Sequence, residues 1–198
     1  MIHDPRLLDA LIARQSTPAA YLCAPAPDDE TLKRLLQAPE SAPDHGSLHP
    51  WRFLVIRGKG LDALGNLFVE AYRQRVPDAS EAMLERERER ALRAPLIVAA
   101  IARIVPDHAK VPEVEQLLAA GAATHQLVLA TEALGFGVIW LTGDRAYDPV
   151  IHARLGLTDD ERLLGLINIG TRAESAPTKE RERRPATLTV WDGSDPVE

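Results

Sequence analysis

The sequence predicts a single α+β domain, and three observations lead to that class. Four short apolar runs, at 51–57, 95–102, 138–141 and 163–170, have the length and branched side chains of buried strands. Segments between them carry apolar residues at helical spacing, the most extended at 112–134. No internal repeat and no Pro/Gly/Ser-rich linker divides the 198 residues into two cores.

The first helix is expected at 4–14, with Leu7, Leu8, Leu11 and Ile12 at helical spacing. It must stop before Thr17-Pro18, because a residue preceding proline is pushed out of helical geometry. A second helix starts near Pro27, capped by Asp28 or Asp29, with Leu32, Leu35 and Leu36 facing inward. A polar, kinked loop, 41–50, then runs into the strand at 51–57, and binding residues favour loops delivered by rigid strands. Helices follow at 61–72 and 80–93. In the second, Glu85 meets Arg88, Glu87 meets Arg90 and Glu89 meets Arg93, and the charged run reads as a solvated face in preference to a mobile lid.

After the strand at 95–102 comes the long helix at 112–134, roughly 34 Å at the usual rise. Pro112 suits its first position, Glu113 and Glu115 its first turn, and Gly135 its stop. Its middle, Ala119-Ala120-Gly121-Ala122-Ala123, is small on every side, which reads as a helix buried all round. A chain of this length encloses such a helix most economically by pairing it with a second copy, so a homodimer is expected. The strand at 138–141 leads through Thr142-Gly143 to a short helix near 148–155, and the strand at 163–170 follows. The tail is polar until a short alternating strand at 187–191, which must pair with the sheet edge of its own chain or of a partner.

A net charge of −6 argues against nucleic-acid and membrane-surface binding, which favour a basic face. The single cysteine, Cys23, excludes an internal disulfide and a cysteine-rich metal site. The opening residues lack the order of a signal peptide, and the longest stretch without charge, 116–131, is shorter than the roughly 18–20 residues of a membrane span. A cytoplasmic protein is expected. Gly135-Phe136-Gly137 lies after a helix and before a strand, the reverse of a dinucleotide-binding loop. His45 and His49 are four apart, but Gly46 and Pro50 oppose the helix that would aim both at one metal, so no metal site is expected. His125 reads as a core histidine. The remaining candidates suit an anionic, planar ligand: Arg14 as a guanidinium fork, Ser16 as a hydroxyl, His45 and Trp140 as rings, and backbone N–H groups after Trp140.

Together these segments resemble the FMN-dependent nitroreductase superfamily, in particular its small bacterial branch. The resemblance rests on Leu11-Ile12-Ala13-Arg14-Gln15-Ser16, on Ala42-Pro43-Asp44-His45-Gly46-Ser47-Leu48-His49-Pro50-Trp51-Arg52-Phe53, on Arg93-Ala94-Pro95-Leu96-Ile97 with Lys110-Val111-Pro112, and on Gly135-Phe136-Gly137-Val138-Ile139-Trp140. It implies a three-layer sandwich whose central, mostly antiparallel sheet is flanked by helices, and a homodimer with the long helices at its interface. It also implies two FMN sites, each built from both chains. Arg14, Gln15 and Ser16 would hold the phosphate and ribityl side. Trp140, Leu141, Thr142 and Gly143 would line the isoalloxazine, and His45 would reach it from the partner. NADH or NADPH would approach near 130–135 and give electrons, by ping-pong hydride transfer through FMN, to a small-molecule acceptor such as a nitroaromatic or quinone. No side chain is assigned a catalytic role, because the cofactor carries the chemistry. Three positions depart from the pattern: Gln15, Ala19 and Ser41 stand where relatives carry basic residues, with Arg172 and Lys179 as candidate replacements. A non-catalytic flavin- or small-molecule-binding dimer on the same scaffold is the alternative.

Overall fold

The computed structural model describes residues 4–178, 185–191 and 193, and it is a three-layer sandwich around one antiparallel sheet. Helix α1 (Pro5–Ala13) begins where the Asp4 carboxylate accepts from the Arg6 N–H, and α2 (Asp29–Leu35) where Asp28 accepts from Thr31. Between them lies the two-residue strand β1 (Leu22–Cys23), too short to leave a periodic signal in the sequence. The loop at 38–47 forms two 3-10 turns and leads into β2 (Trp51–Arg57). Helices α3 (Lys59–Arg75) and α4 (Glu81–Leu92, capped by Ser80) precede β3 (Leu96–Arg103). Then come α5 (Glu113–Ala133), β4 (Gly137–Leu141), α6 (Pro149–Arg154, capped by Asp148) and β5 (Glu161–Arg172).

β5 is the axis of the sheet. It pairs antiparallel with β3, with β4 and, at its end, with β1, and β3 pairs antiparallel with β2, which is left as an edge. β3 is buried along nearly its whole length, as a strand covered on both faces must be. Its alternate residues divide between the layers. Ile97, Ala99 and Ile101 join Leu61, Leu64 and Phe68 of α3 and Ile151 of α6. Leu96, Val98 and Ala100 join Leu32 and Leu35 of α2 and Leu127 and Val128 of α5. Two helical layers thus cover opposite faces of one sheet.

Several expectations change. α5 starts one residue later than expected, with Pro112 as its cap, and Ala133 is its last helical residue. It is not buried all round within one chain: Gln116, Ala120, Ala123, Leu127 and Thr131 face the sheet, while Val114, Leu118 and His125 are exposed on the opposite face. His125 is therefore a surface residue and not a core histidine. Small residues on every side concealed the sidedness, since alanine is compatible with either environment. α1 buries none of its residues, and Leu7, Leu8, Leu11 and Ile12 lie exposed. The charged helix α4 is not wholly solvated, because Glu87 is buried between arginines; no Glu89–Arg93 pair forms among the described residues. Residues 187–191 form no strand, and Leu188, Val190 and Trp191 are exposed, so pairing with the chain's own sheet edge does not occur. Among the described residues, no helix is long and apolar enough to cross a membrane.

Candidate functional site

A cavity that holds residues flagged by the sequence lies where α1 ends against the C-terminal half of α5. Asp4 starts α1, and the chain turns extended at Arg14, so the guanidinium is delivered at a helix end. Thr17, 3% exposed, fixes the following segment by donating its N–H to the Val138 carbonyl of β4 at 2.9 Å. Gly137 makes that approach possible: a Cβ there would lie 2.7 Å from Leu22 Cδ2 and 3.1 Å from Thr17 Oγ1. The result is a cavity of about 580 Å³, walled by Leu7 and Leu11 of α1 and by Leu129 and Ala133 of α5, with Arg14, Gln15 and Arg172 at its polar end.

The polar end is mixed in charge. Arg14 Nη1 lies 3.9 Å from Glu132 Oε1, both side chains being mostly buried. Burial holds the Glu132 carboxyl above its ordinary range, opposed by the positive charge of Arg14. Arg172, near the end of β5, donates to Thr17 Oγ1 at 3.4 Å and to the Ala176 carbonyl at 3.1 Å. Two guanidinia against one carboxylate, on a mostly apolar cavity, suit a ligand with an anionic end and an apolar body. Ser41 also reaches this cavity, where its hydroxyl donates to Gln126 Oε1 at 3.3 Å. Of the two candidate replacements for the missing charges, Arg172 is in the site, and Lys179 lies outside the described residues.

The other expected residues are distributed around this cavity. Leu141 and Thr142 lie at the opposite end of β4 from Gly137, about 13 Å away at the strand rise, and wall a second cavity of about 50 Å³. Trp140 is tied into the sheet, its Nε1 donating to the Leu164 carbonyl at 3.0 Å. That indole has room because Gly165, with φ +147°, offers no Cβ beneath it. Gly143, with φ +70°, turns the exposed chain after Thr142. Ser16 is exposed beside Gln15, and neither it, Trp140, Gly143 nor His45 walls either cavity.

His45 is in a different place. Its Nδ1 lies 2.6 Å from Glu115 Oε2, in the first turn of α5. Glu132, the partner of Arg14, is in the last turn, so the two ends are roughly 26 Å apart at the helical rise. Within one chain His45 does not meet Arg14. His49 packs edge-on against Trp51, ring centroids 5.3 Å apart, so the two histidines do not converge.

Residues that the sequence did not flag also stand here. Glu132 is in the wall of the main cavity, and Arg90, Arg93 and Arg145 surround the smaller one. Glu132 left only an isolated acidic residue in an apolar helix as its signal. Arg145 left none, since its neighbours come from a helix far away in sequence.

Comparison with known proteins agrees with this architecture. The sequence profile described as "Nitroreductase family" matches residues 11–171. A Haemophilus influenzae protein named "Putative NAD(P)H nitroreductase" is 39% identical over 163 residues, covering 82% of this chain and 86% of the relative. Among solved structures, the nitroreductase-like family protein of Bacillus cereus superposes with a TM-score of 0.80 at 22% identity, covering 98% of this chain and 100% of that one. A Desulfovibrio desulfuricans protein solved in complex with FMN superposes with a TM-score of 0.68 at 24% identity, covering 93% of this chain and 94% of the other. With its sheet order, its covered central strand and most of its length matched, the chain belongs to the nitroreductase family.

Proposed function

We propose that the protein is an FMN-dependent NAD(P)H oxidoreductase that works as a homodimer. The observation that carries this reading is the cavity at the end of α1, where Arg14 and Arg172, against the single carboxylate Glu132, supply positive charge to a mostly apolar wall. Arg14, with Gln15 and Ser16 beside it, would hold the FMN phosphate and ribityl chain, with Arg172 as the second guanidinium. Leu141, Thr142 and Gly143 would line the isoalloxazine at the other end of β4, with Trp140 braced behind them against β5. The chemistry supplied by bound FMN is two-electron transfer in ping-pong order, from NADH or NADPH to a nitroaromatic, quinone or similar acceptor. The chain's own groups bind and orient the cofactor, exclude water with the apolar α1–α5 wall, and set the charge around it.

The dimer reading rests on the surface. Leu7 and Leu8 of α1 are each 60% exposed and Leu118 of α5 is 67% exposed, apolar surface of the kind that interfaces cover. Val114, Leu118, Gly121 and His125 recur at helical spacing along the uncovered face of α5. Packing that face on its twin about a two-fold axis sets the start of one α5 beside the end of the other. The separation of His45 from Arg14 would then be closed between chains, with His45 reaching the partner's flavin. Residues 187–191 would pair with the partner's sheet, where the β2 edge is open.

The alternative, a flavin- or small-molecule-binding dimer without catalysis, draws on the missing basic residues at Gln15, Ala19 and Ser41. One experiment separates the two. The oxidoreductase is expected to purify yellow, with a flavin absorption band that NADH or NADPH bleaches. A band that neither donor bleaches would favour the binding protein, and a colourless protein that takes up no FMN at micromolar concentration would overturn the FMN reading itself.

A further inference from the structure

The small cavity at the Thr142 end of β4 carries more positive charge than its surroundings neutralise. Arg90 of α4, Arg93 just beyond it and Arg145 of the turn after β4 all wall it, together with Thr142 and Asn168. Among the described residues one carboxylate, Glu87, pairs with two of the three arginines: it lies 3.0 Å from Arg90 Nε and is also bonded to Arg145 Nη2. Arg93 has no ionic partner among the described residues, so two positive charges remain in excess. Arg145 Nε is buried without an acceptor. A buried donor left unpaired is destabilising, which marks a position that an acceptor completes.

Size narrows what that acceptor is. The cavity of about 50 Å³ exceeds what a single water needs, roughly 15 Å³, yet it cannot admit a ring. It suits a few atoms ending in acceptor oxygens and presented from outside. Leu141 and Thr142 form its wall, and these are the residues that stand at the isoalloxazine end of the proposed flavin site. Ala19 forms another part of the wall.

We propose that Arg90, Arg93 and Arg145 receive the carbonyl-oxygen edge of the flavin's pyrimidine ring and stabilise the negative charge that hydride uptake from NAD(P)H leaves there. This rests on the FMN reading above. The three arginines supply charge to the flavin edge; Arg145, mostly buried, acts where water is largely excluded and its guanidinium charge is less screened than in solvent, while Arg90 and Arg93 reach it from the surface. Glu87 holds Arg90 and Arg145 in place and leaves Arg93 as the freest of the three.

The test uses FMN-loaded protein and two readouts apart from turnover: the two-electron midpoint potential and the affinity of the oxidised flavin for sulfite, which reports positive potential at the ring. Arg93→Gln removes an exposed, unpaired guanidinium and leaves the fold intact. It is expected to weaken sulfite binding about tenfold and to lower the two-electron potential by about 30 mV, the equivalent of a tenfold change in that equilibrium. Arg145→Gln is expected to do the same or more, and Arg93→Lys to retain most of the wild-type value. FMN-loaded Arg93→Gln and Arg145→Gln proteins with wild-type potential and wild-type sulfite affinity would overturn this proposal and leave the FMN reading standing. A wild-type protein that binds no FMN would overturn both.

Discussion

Arg14 stands at the junction of two demands, ending a helix and facing a cavity. Its guanidinium lies 3.9 Å from Glu132, too far for a strong ionic hydrogen bond, so part of its donor capacity is open to a ligand. Replacing it by alanine is expected to weaken FMN binding by about tenfold to a hundredfold, the equivalent of one charge-assisted interaction. Riboflavin, which lacks the phosphate, should bind the variant and the wild type alike. Parallel fluorescence titrations with the two flavins check this, and equal losses for both would remove the phosphate role.

A second residue-scale prediction concerns Glu161, which closes the sheet's far end. It receives Arg52 Nε at 2.6 Å and Nη2 at 2.7 Å, with Arg103 3.8 Å away. The Arg52 hydrogen bonds hold its carboxyl below the ordinary value of 4.5. A carboxylate with a depressed folded pKa stabilises the fold fully above the unfolded value and loses that contribution as pH falls through the folded one. Arg52→Met is thus expected to cost about 1–2 kcal/mol at neutral pH, discounted because Arg52 is partly exposed. The gap to wild type should close on acidification below about 4.5. Urea unfolding at a series of pH values measures it, and a gap independent of pH would contradict the assignment.

Among residues, the local placement of Arg14 and His45 was legible because sharp signals mark it: a helix end before Thr17-Pro18, and a kinked loop feeding a strand. The arginine cluster was not. Glu87, Arg90 and Arg93 read as a solvated run, and only the tertiary approach of Arg145 across Phe68, its guanidinium 5.2 Å from that ring, turns part of the run inward. Burial of a charge by a distant partner leaves no trace in local periodicity.

At the scale of elements, α5 shows both what the sequence conveys and what it withholds. Its length and its stop at Gly135 follow from the apolar run and from a residue with φ +83°. Its sidedness does not, because alanine and glycine supply no contrast between faces. The face seen exposed in one chain carries Leu118, and Leu118→Glu places a charge where a twin helix is expected. The variant should sediment as a monomer with unchanged helical content, and it should lose bound FMN. A variant that remains dimeric and yellow would place the interface elsewhere. The strands fared better, since all four runs became β2 to β5, whereas β1 was too short to signal itself.

At the scale of the whole molecule, the three layers follow from β3, whose continuous apolar run requires cover on both faces. The position of the site does not follow from one chain. Glu115 at the start of α5 holds His45, and Glu132 at its end accompanies Arg14, so the proposed site exists only if a second chain brings opposite ends together. The most direct measurement is complementation in a mixed dimer. Arg14→Ala chains and His45→Ala chains, each weak in FMN binding alone, are unfolded together, refolded and purified as the mixed species. Sites shared between chains give each mixed dimer one site with both residues intact, so half the wild-type FMN should bind at wild-type affinity. Mixed dimers that bind no more tightly than the two parents would show that the site lies within one chain, and would contradict the account.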